Sequence, residues 1–172
     1  DESDKIEVKK YLNPRIANWP KSDYIVGNPP FIGNKRMRYH LGDGYVQALR
    51  NTYESEVPNT SDYVMYWWQK AANLVSSKEV KQLGFITTNS ITQVFNRSVI
   101  ENNISPKGLL GLAYAIPDHP WVDSSDGAAV RIAMTSARDM GNSKGVLQNL
   151  VKEVSKDGIE MEVAFESKNG EI

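Results

Sequence analysis

The sequence predicts an α/β domain in which short parallel strands alternate with helices and a terminal antiparallel hairpin follows. Apolar runs at residues 24–26, 83–88 and 109–116 are bounded by residues that break regular structure, which is typical of strands buried in a parallel sheet. Helical patterns lie between the first two runs and again before the third. This order predicts right-handed crossovers between parallel strands.

Composition indicates one ordinary globular domain. The 172 residues are 40% hydrophobic and 24% charged, enough for a single core. The apolar runs are far shorter than the roughly 20 residues of a membrane-spanning helix, and the start does not resemble an export signal. We therefore expect no membrane partner. The absence of cysteine excludes disulfides and, together with the lack of an export signal, favours a cytoplasmic location.

Charge and histidine content restrict the possible ligands. His40 and His119 are the only histidines, so we expect no metal site. The formal net charge is -1, which gives no overall signature of nucleic-acid binding. Any contact with DNA must therefore be local or come from sequence outside this chain.

The first strand ends in an unusual turn. The apolar run is predicted to be buried, and it is followed at once by Asn28, Pro29, Pro30 and Phe31. Neither proline can donate to a sheet ladder, and the residue before each is kept out of the helical region. Stiff backbone thus holds Asn28 and Phe31 at the carboxyl end of a strand, where open α/β sheets bind ligands.

This turn offers two acceptors and an aromatic face. The side-chain oxygen of Asn28 and the carbonyl of Pro29 can accept both hydrogens of a planar amino group, while the Phe31 ring can stack. Such a site suits an amine conjugated to a flat ring. The alternative is a simple turn, because Asn-Pro pairs are common where strands end.

A polar stretch at residues 32–40 follows Phe31 and is predicted to be a loop. Lys35, Arg36 and Arg38 lie in it, directly beside the candidate site. Cations next to an aromatic ring suit a stacked base and its phosphate backbone. A solvated basic loop is the alternative interpretation.

Two helices are predicted next. Apolar residues three and four apart predict an amphipathic helix within residues 43–56. A second helix at 63–74, which the polar residues 60–62 can cap, is apolar nearly all round and should be buried against the sheet. We expect its Trp67 and Trp68 to belong to the core rather than to a cofactor site.

The strand at 83–88 ends at Asn89, as the first strand ends at Asn28. Ser90 can then cap a helix that runs through Ile100. Asn89 is therefore predicted to lie at the same sheet edge as Asn28.

The runs at 109–116 and 128–137 predict an antiparallel hairpin, because no helix fits between them. Trp121 falls in the predicted loop at 117–127. Its indole could form a second stacking face on a ligand, or it could pack over its own loop.

A shift to glycine, asparagine, serine and lysine places a weak boundary near Gly141. We expect residues 1–140 to form a partial catalytic domain. Residues 141–172, with strands at 146–154 and 161–165, are expected to be extra strands or the start of a following domain.

Four segments of this sequence resemble a known family. They are similar to the carboxyl-side half of amino-methyltransferases that use S-adenosylmethionine. The closest likeness is to the N6-adenine DNA methyltransferases of single-chain restriction-modification enzymes, the MmeI-like and Eco57I-like group. The segments are DYIVGNPPFIGNKRMR at 23–38, SDYVMYWWQKAANLV at 61–75, GFITTNSITQVFNR at 84–97 and AIPDHPWVDSSDGAAVRIAMT at 115–135.

The resemblance implies a fold and residue roles. The fold is the carboxyl-side half of a Rossmann-like class I methyltransferase sheet, with parallel strands and a terminal antiparallel hairpin. Asn28 and the carbonyl of Pro29 would hold the exocyclic amine of a flipped adenine, Pro30 would complete the motif, Phe31 would stack on the base, and Trp121 is the candidate for its other face. The further substrate-binding candidates are Lys35, Arg36, Arg38 and Asn89.

The glycine-rich turn that the resemblance places before the Asn-Pro-Pro-Phe strand is not found in this sequence. We therefore expect a fragment of a methyltransferase of double-stranded DNA that is inactive alone, with the main S-adenosylmethionine motif upstream. Two other readings stay open. One is a protein-glutamine or RNA-base methyltransferase, because those substrates also present a planar amine, and the other is a non-catalytic α/β interaction module.

Overall fold

The computed structural model describes residues 9–104, 109–121, 130–139, 144–156 and 160–170. These residues form six strands, four α-helices and one 3-10 turn. In chain order they are β1 (Tyr24–Gly27), α1 (Asn34–Leu41), α2 (Asp43–Thr52), α3 (Val64–Ser76), β2 (Gln82–Thr88), the 3-10 turn (Asn89–Thr92), α4 (Val94–Ile104), β3 (Gly111–Trp121), β4 (Val130–Arg138), β5 (Gly145–Lys156) and β6 (Glu160–Gly170).

The strands form one mixed sheet in the order β1-β2-β4-β3-β5-β6. β1 is parallel to β2 and β3 is parallel to β5, whereas β4 lies antiparallel between β2 and β3. The predicted parallel pair and the predicted hairpin are therefore confirmed. Because β1, β2 and β3 run in one direction, their carboxyl ends lie at one edge of the sheet.

The core lies between α3 and the sheet. Trp68 is fully buried, and its Nε1 donates a hydrogen bond of 3.2 Å to Thr135 Oγ1 on β4. Nine of the thirteen residues of α3 are buried, as its apolar sequence predicts. Trp67 differs from Trp68, because it is only half-buried and packs against Trp19 at a ring distance of 5.7 Å.

The prediction that β1 is buried on both faces is wrong. Val26 is 85% exposed and Tyr24 is 60% exposed, while Ile25 between them packs against the core. Among the described residues β1 pairs with β2 alone and forms an edge of the sheet. Successive side chains of a strand point to opposite faces, so only one face of β1 meets the core.

The prediction of a loop at residues 32–40 is also wrong, because α1 occupies Asn34–Leu41. Asp62, 28 residues further along the chain, accepts the Asn34 backbone N–H at 2.8 Å. Met37 is fully buried and anchors the helix. The side chain of Asp62 therefore does not cap α3, and Ser90 donates its hydroxyl to Asp62 instead of capping α4.

β3 is longer than predicted and extends through Trp121, so residues 117–121 are strand rather than loop. An irregularity in the β3–β4 register between Ile116 and His119 accommodates Pro117, as bulges commonly do for proline. The rest of the predicted loop, 122–129, lies outside the described residues.

The predicted strands at 146–154 and 161–165 are confirmed as parts of β5 and β6, which extend the same sheet. β5 pairs with β3 through Tyr114–Val146 and Ala115–Leu147. The boundary predicted near Gly141 lies outside the described residues.

Candidate functional site

The turn after β1 presents unengaged polar and aromatic groups. Asn28 is exposed, and no described residue hydrogen-bonds to its side chain or to the carbonyl of Pro29. Pro29 is buried, and the carbonyl of Pro30 accepts the N–H of Ile32 at 3.1 Å, which forms a tight turn centred on Phe31. The Phe31 ring is 38% exposed. Two acceptors and a ring face are therefore available to a ligand.

The segment after Phe31 is fixed by residues that precede α3. Ile32 accepts the backbone N–H of Tyr63 at 3.0 Å, and Asn34 donates its N–H to Asp62 Oδ1 at 2.8 Å. Asp62 Oδ2 in turn accepts hydrogen bonds from Ser90 Oγ at 2.8 Å and Asn96 Nδ2 at 2.9 Å. The sequence suggested only a cap for α3, since a carboxylate before a helix carries no sign of a distant partner.

Asn89 lies at the same edge, at the end of β2, but its amide is engaged. Its Nδ2 donates to Asp118 Oδ1 at 3.3 Å, and the same oxygen accepts Arg131 Nε at 2.6 Å. Arg131 Nη1 also donates to Glu153 Oε2 at 3.0 Å. The Arg131 hydrogen bond holds the pKa of Asp118 below its usual range. This network joins the 3-10 turn after β2 to β3, β4 and β5, and sequence patterns did not reveal it.

Trp121 is the last residue of β3 and is 40% exposed. Trp121 pairs with Val130 of β4, whereas Thr88 at the end of β2 pairs with Ile132 of β4. β3 therefore extends two residues further than β2 toward the carboxyl edge. β3 lies three strand spacings from β1, or about 14 Å sideways across the sheet. Trp121 is thus at the predicted edge, and among the described residues no aromatic ring stacks on it or on Phe31.

The predicted cationic candidates are on α1. Lys35 and Arg36 are exposed and make no ion pair with any described residue. Arg38 Nη1 pairs with Asp43 Oδ1 at 2.8 Å on the surface. Tyr39 on the same helix is 88% exposed. Lys35 and Arg36 are therefore open to an anionic ligand, while Arg38 is shared with a neighbouring carboxylate.

An aromatic cleft of about 480 Å³ adjoins this edge between α2, α3 and residues 11–19. Trp19, Tyr63 and Trp67 line it, and the Tyr63 backbone touches Ile32 of the turn. Burial lowers the pKa of Lys70, whose ammonium donates to Ala17 O and lies 4.8 Å from the Trp19 ring centroid.

The chemistry of this cleft suits part of a nucleoside cofactor. Its aromatic walls fit a flat base, but none of its described lining residues is Asp or Glu, the residue types that commonly bind ribose hydroxyls. The described lining thus fits the base of such a cofactor and lacks the carboxylate that commonly binds its ribose.

The described residues contain no group of three or more His, Cys, Asp or Glu side chains that could hold a metal ion. Within the same part of the chain, no helix has the length and apolar character needed to cross a membrane.

The fold and this edge define a class of protein, an α/β domain whose mixed sheet carries an Asn-Pro-Pro-Phe turn at the carboxyl end of its first strand. The sequence matches the family model of the MmeI DNA-methyltransferase domain over residues 2–156, so the chain belongs to that family.

A solved structure of the type IIL restriction-modification enzyme MmeI in complex with DNA has a similar fold, with a TM-score of 0.60 at 21% sequence identity. The match covers 84% of this chain and 18% of that one, so this chain spans less than a fifth of MmeI. A comparison with curated proteins gave no significant match.

Proposed function

We propose that this chain forms the base-binding part of an enzyme that transfers a methyl group from S-adenosylmethionine to N6 of a flipped adenine in double-stranded DNA. One observation carries the proposal. In a chain of the MmeI methyltransferase family, the Asn28 side chain and the Pro29 carbonyl have no hydrogen-bond partner among the described residues and lie beside the half-exposed Phe31 ring. On this view the sheet is the carboxyl-side half of a Rossmann-like class I methyltransferase sheet.

Asn28 and Pro29 would activate the amine. The lone pair of an adenine amino group is delocalised into the ring and is a poor nucleophile. Two oxygens that accept hydrogen bonds from the two N–H groups draw the nitrogen toward tetrahedral geometry and localise its lone pair. Held in this way, the nitrogen would be oriented to receive the methyl group that a bound S-adenosylmethionine would supply, and one amine proton would then pass to water.

Phe31 and Trp121 would hold the base outside the helix. Extruding a base costs a few kcal/mol of lost pairing and stacking. Stacking on an aromatic side chain returns about 1–3 kcal/mol per base. Phe31 is fixed by its turn and would stack on one face, and Trp121, three strand spacings away at the end of β3, is the candidate for the other face. Pro30 serves by keeping the turn rigid.

Contacts with the DNA strand would come from α1 and the end of β2. Lys35 and Arg36 bind phosphates, because neither has an ion pair among the described residues. Arg38 contributes less, since Asp43 already pairs with it. Asn89 keeps its side-chain oxygen for the substrate while its amide nitrogen donates to Asp118.

S-adenosylmethionine supplies the methyl group as an electrophilic sulfonium. Trp19, Tyr63 and Trp67 would offer apolar faces to its adenine ring, and the Tyr63 backbone N–H donates to Ile32, the residue after Phe31. The cleft has no carboxylate among its described lining residues to bind the ribose. The described residues therefore provide an edge of the cofactor pocket.

The test is Asn28→Ala in the complete protein that carries this sequence, assayed by methyl transfer to duplex DNA with digestion and mass spectrometry of the nucleosides. We expect kcat/KM to fall by about 10²–10³, as for loss of one preorganised polar contact. Asn51→Ala, on the surface of α2, is the matched control and should stay within about twofold. Wild-type activity in Asn28→Ala would refute the role of Asn28.

The same reaction separates the competing functions. A glutamine-containing peptide and a single-stranded RNA present similar planar amines, so each is offered with S-adenosylmethionine in place of DNA. Preferential methylation of either would replace DNA adenine as the substrate. No methyl transfer to any of the three would favour a non-catalytic interaction module.

A further inference from the structure

Asp62 connects three elements around the Phe31 turn, and no part of the proposed chemistry uses it. Its Oδ1 accepts the Asn34 N–H at the start of α1, at 2.8 Å. Its Oδ2 accepts Ser90 Oγ from the 3-10 turn after β2 at 2.8 Å and Asn96 Nδ2 of α4 at 2.9 Å. Both carboxylate oxygens therefore accept hydrogen bonds from within the protein.

The backbone around Asp62 strengthens this connection. The Asp62 N–H donates to Asn96 Oδ1 at 2.9 Å, so the two residues bind each other reciprocally. The next residue, Tyr63, donates its N–H to the carbonyl of Ile32 at 3.0 Å. Residues 62–63 thus hold the segment 32–34 through two hydrogen bonds.

This arrangement fixes Phe31 from both sides. On its amino side the chain is constrained by the two prolines and by the pairing of Gly27 with Phe85. On its carboxyl side the Asp62 and Tyr63 hydrogen bonds begin at the very next residue, Ile32. Because Asp62 also binds Ser90, the position of Phe31 is tied to the carboxyl end of β2.

We propose that Asp62 is a positioning residue that sets the Phe31 ring against the flipped base. The proposal rests on the proposed function, because the stacking of Phe31 on the base is part of that function. It assigns to Asp62 itself no contact with substrate or cofactor. Asp62→Asn keeps the size of the side chain but replaces one acceptor oxygen by an NH₂ group. Asn34, Ser90 and Asn96 each donate a hydrogen bond to the Asp62 carboxylate. The amide of Asp62→Asn has one acceptor oxygen and an NH₂ group that cannot accept, so at least one of these three hydrogen bonds is lost.

The test is a double-mutant cycle of Asp62→Asn and Phe31→Ala in the complete protein, measured as kcat/KM for DNA. If Asp62 acts through Phe31, its effect disappears once the ring is gone. We expect Asp62→Asn alone to lower kcat/KM by about 10- to 100-fold and to add no more than about threefold in the Phe31→Ala background. A merely structural role gives multiplied losses in the double variant, and that result would overturn the proposal.

Two further variants keep the test decisive. Asp23→Asn breaks the exposed pair with Lys81 at the opposite end of β1 and should leave kcat/KM within about twofold of wild type. Ser90→Ala removes one donor and leaves the Asp62 carboxylate, so it serves if Asp62→Asn does not fold. We expect a loss that is again absent in the Phe31→Ala background, and an unchanged rate would overturn the proposal.

Failure of the two proposals is distinguishable. If the wild-type protein methylates adenine and Asp62→Asn has the same kcat/KM, only the role of Asp62 is refuted. A wild-type protein that transfers no methyl group to adenine refutes the proposed function and, with it, this role.

Discussion

Asp118 provides a sensitive test of the network behind Asn89. Its Oδ1 accepts hydrogen bonds from Arg131 at 2.6 Å and from Asn89 at 3.3 Å, while Arg131 also pairs with Glu153. Asp118→Asn preserves the shape of the side chain and removes its charge. Arg131 keeps Glu153 as a partner, so the substitution does not leave an unpaired cation.

The magnitude follows from exposure. A hydrogen bond to a charged group is worth about 1.5–3 kcal/mol, and an exposed ion pair about 0–1 kcal/mol. The side chains of Arg131 and Asp118 are 32% and 44% exposed, so solvent screens the pair and we expect about 1 kcal/mol. For a domain of this size, that loss corresponds to a fall of about 2–4 °C in Tm.

The pH dependence has a definite sign. Arg131 holds the pKa of Asp118 below its usual value, so the folded state favours the carboxylate. The stabilisation is complete above the unfolded pKa of about 4 and is lost as pH falls through the lower folded pKa. The Tm difference between wild type and Asp118→Asn should therefore be constant from about pH 5 to 8 and shrink below about pH 4.

Thermal unfolding followed by circular dichroism across this pH range measures the difference. Asp43→Asn is the matched control, because its pair with Arg38 is more exposed, at 47% and 61%, and should change Tm by no more than about 1 °C. A Tm difference for Asp118→Asn that widens on acidification would refute the reasoning. Equal effects of the two substitutions at neutral pH would also contradict it.

Two other predictions concern α1. Met37→Ala removes a fully buried side chain and should lower the free energy of unfolding in urea by about 2–5 kcal/mol, whereas an unchanged value would show that Met37 does not anchor the helix. Substitution of both Lys35 and Arg36 by Gln should reduce the slope of log K against log salt for DNA binding by about 2, with little change in the preferred sequence. A slope equal to that of wild type would show that neither residue contacts the DNA phosphates.

The sheet was predictable because its signals are local. Apolar runs and the breakers beside them placed β1, β2 and the β3–β4 hairpin, and parallel pairing then brought Asn28 and Asn89 to one edge. The exposed face of β1 was not predictable in the same way. An apolar run indicates a strand, but which of its faces meets the core depends on what packs there.

α1 was missed because its stabilising partners are remote in sequence. Its residues are mostly charged or polar, with one buried side chain, Met37, and no acidic residue in its first turn. The hydrogen bond at its start comes from Asp62, and Arg50 Nη2 donates to Asn34 Oδ1 at 2.6 Å from α2. Contacts 28 and 16 residues away leave no periodic pattern, so propensity alone favoured a loop.

Under the proposed function, the two acceptors select for an amino group rather than for adenine itself. A base with a carbonyl at that position, such as guanine or thymine, would bring a third oxygen against Asn28 Oδ1 and the Pro29 carbonyl with no proton between them. Leaving buried acceptors unpaired costs about 1–3 kcal/mol each, so such bases are rejected. Cytosine also carries an amino group, so these acceptors alone do not exclude it. Stacking on Phe31 and Trp121 would accept any base, so the choice of adenine over cytosine would come from groups that contact the edges of the ring.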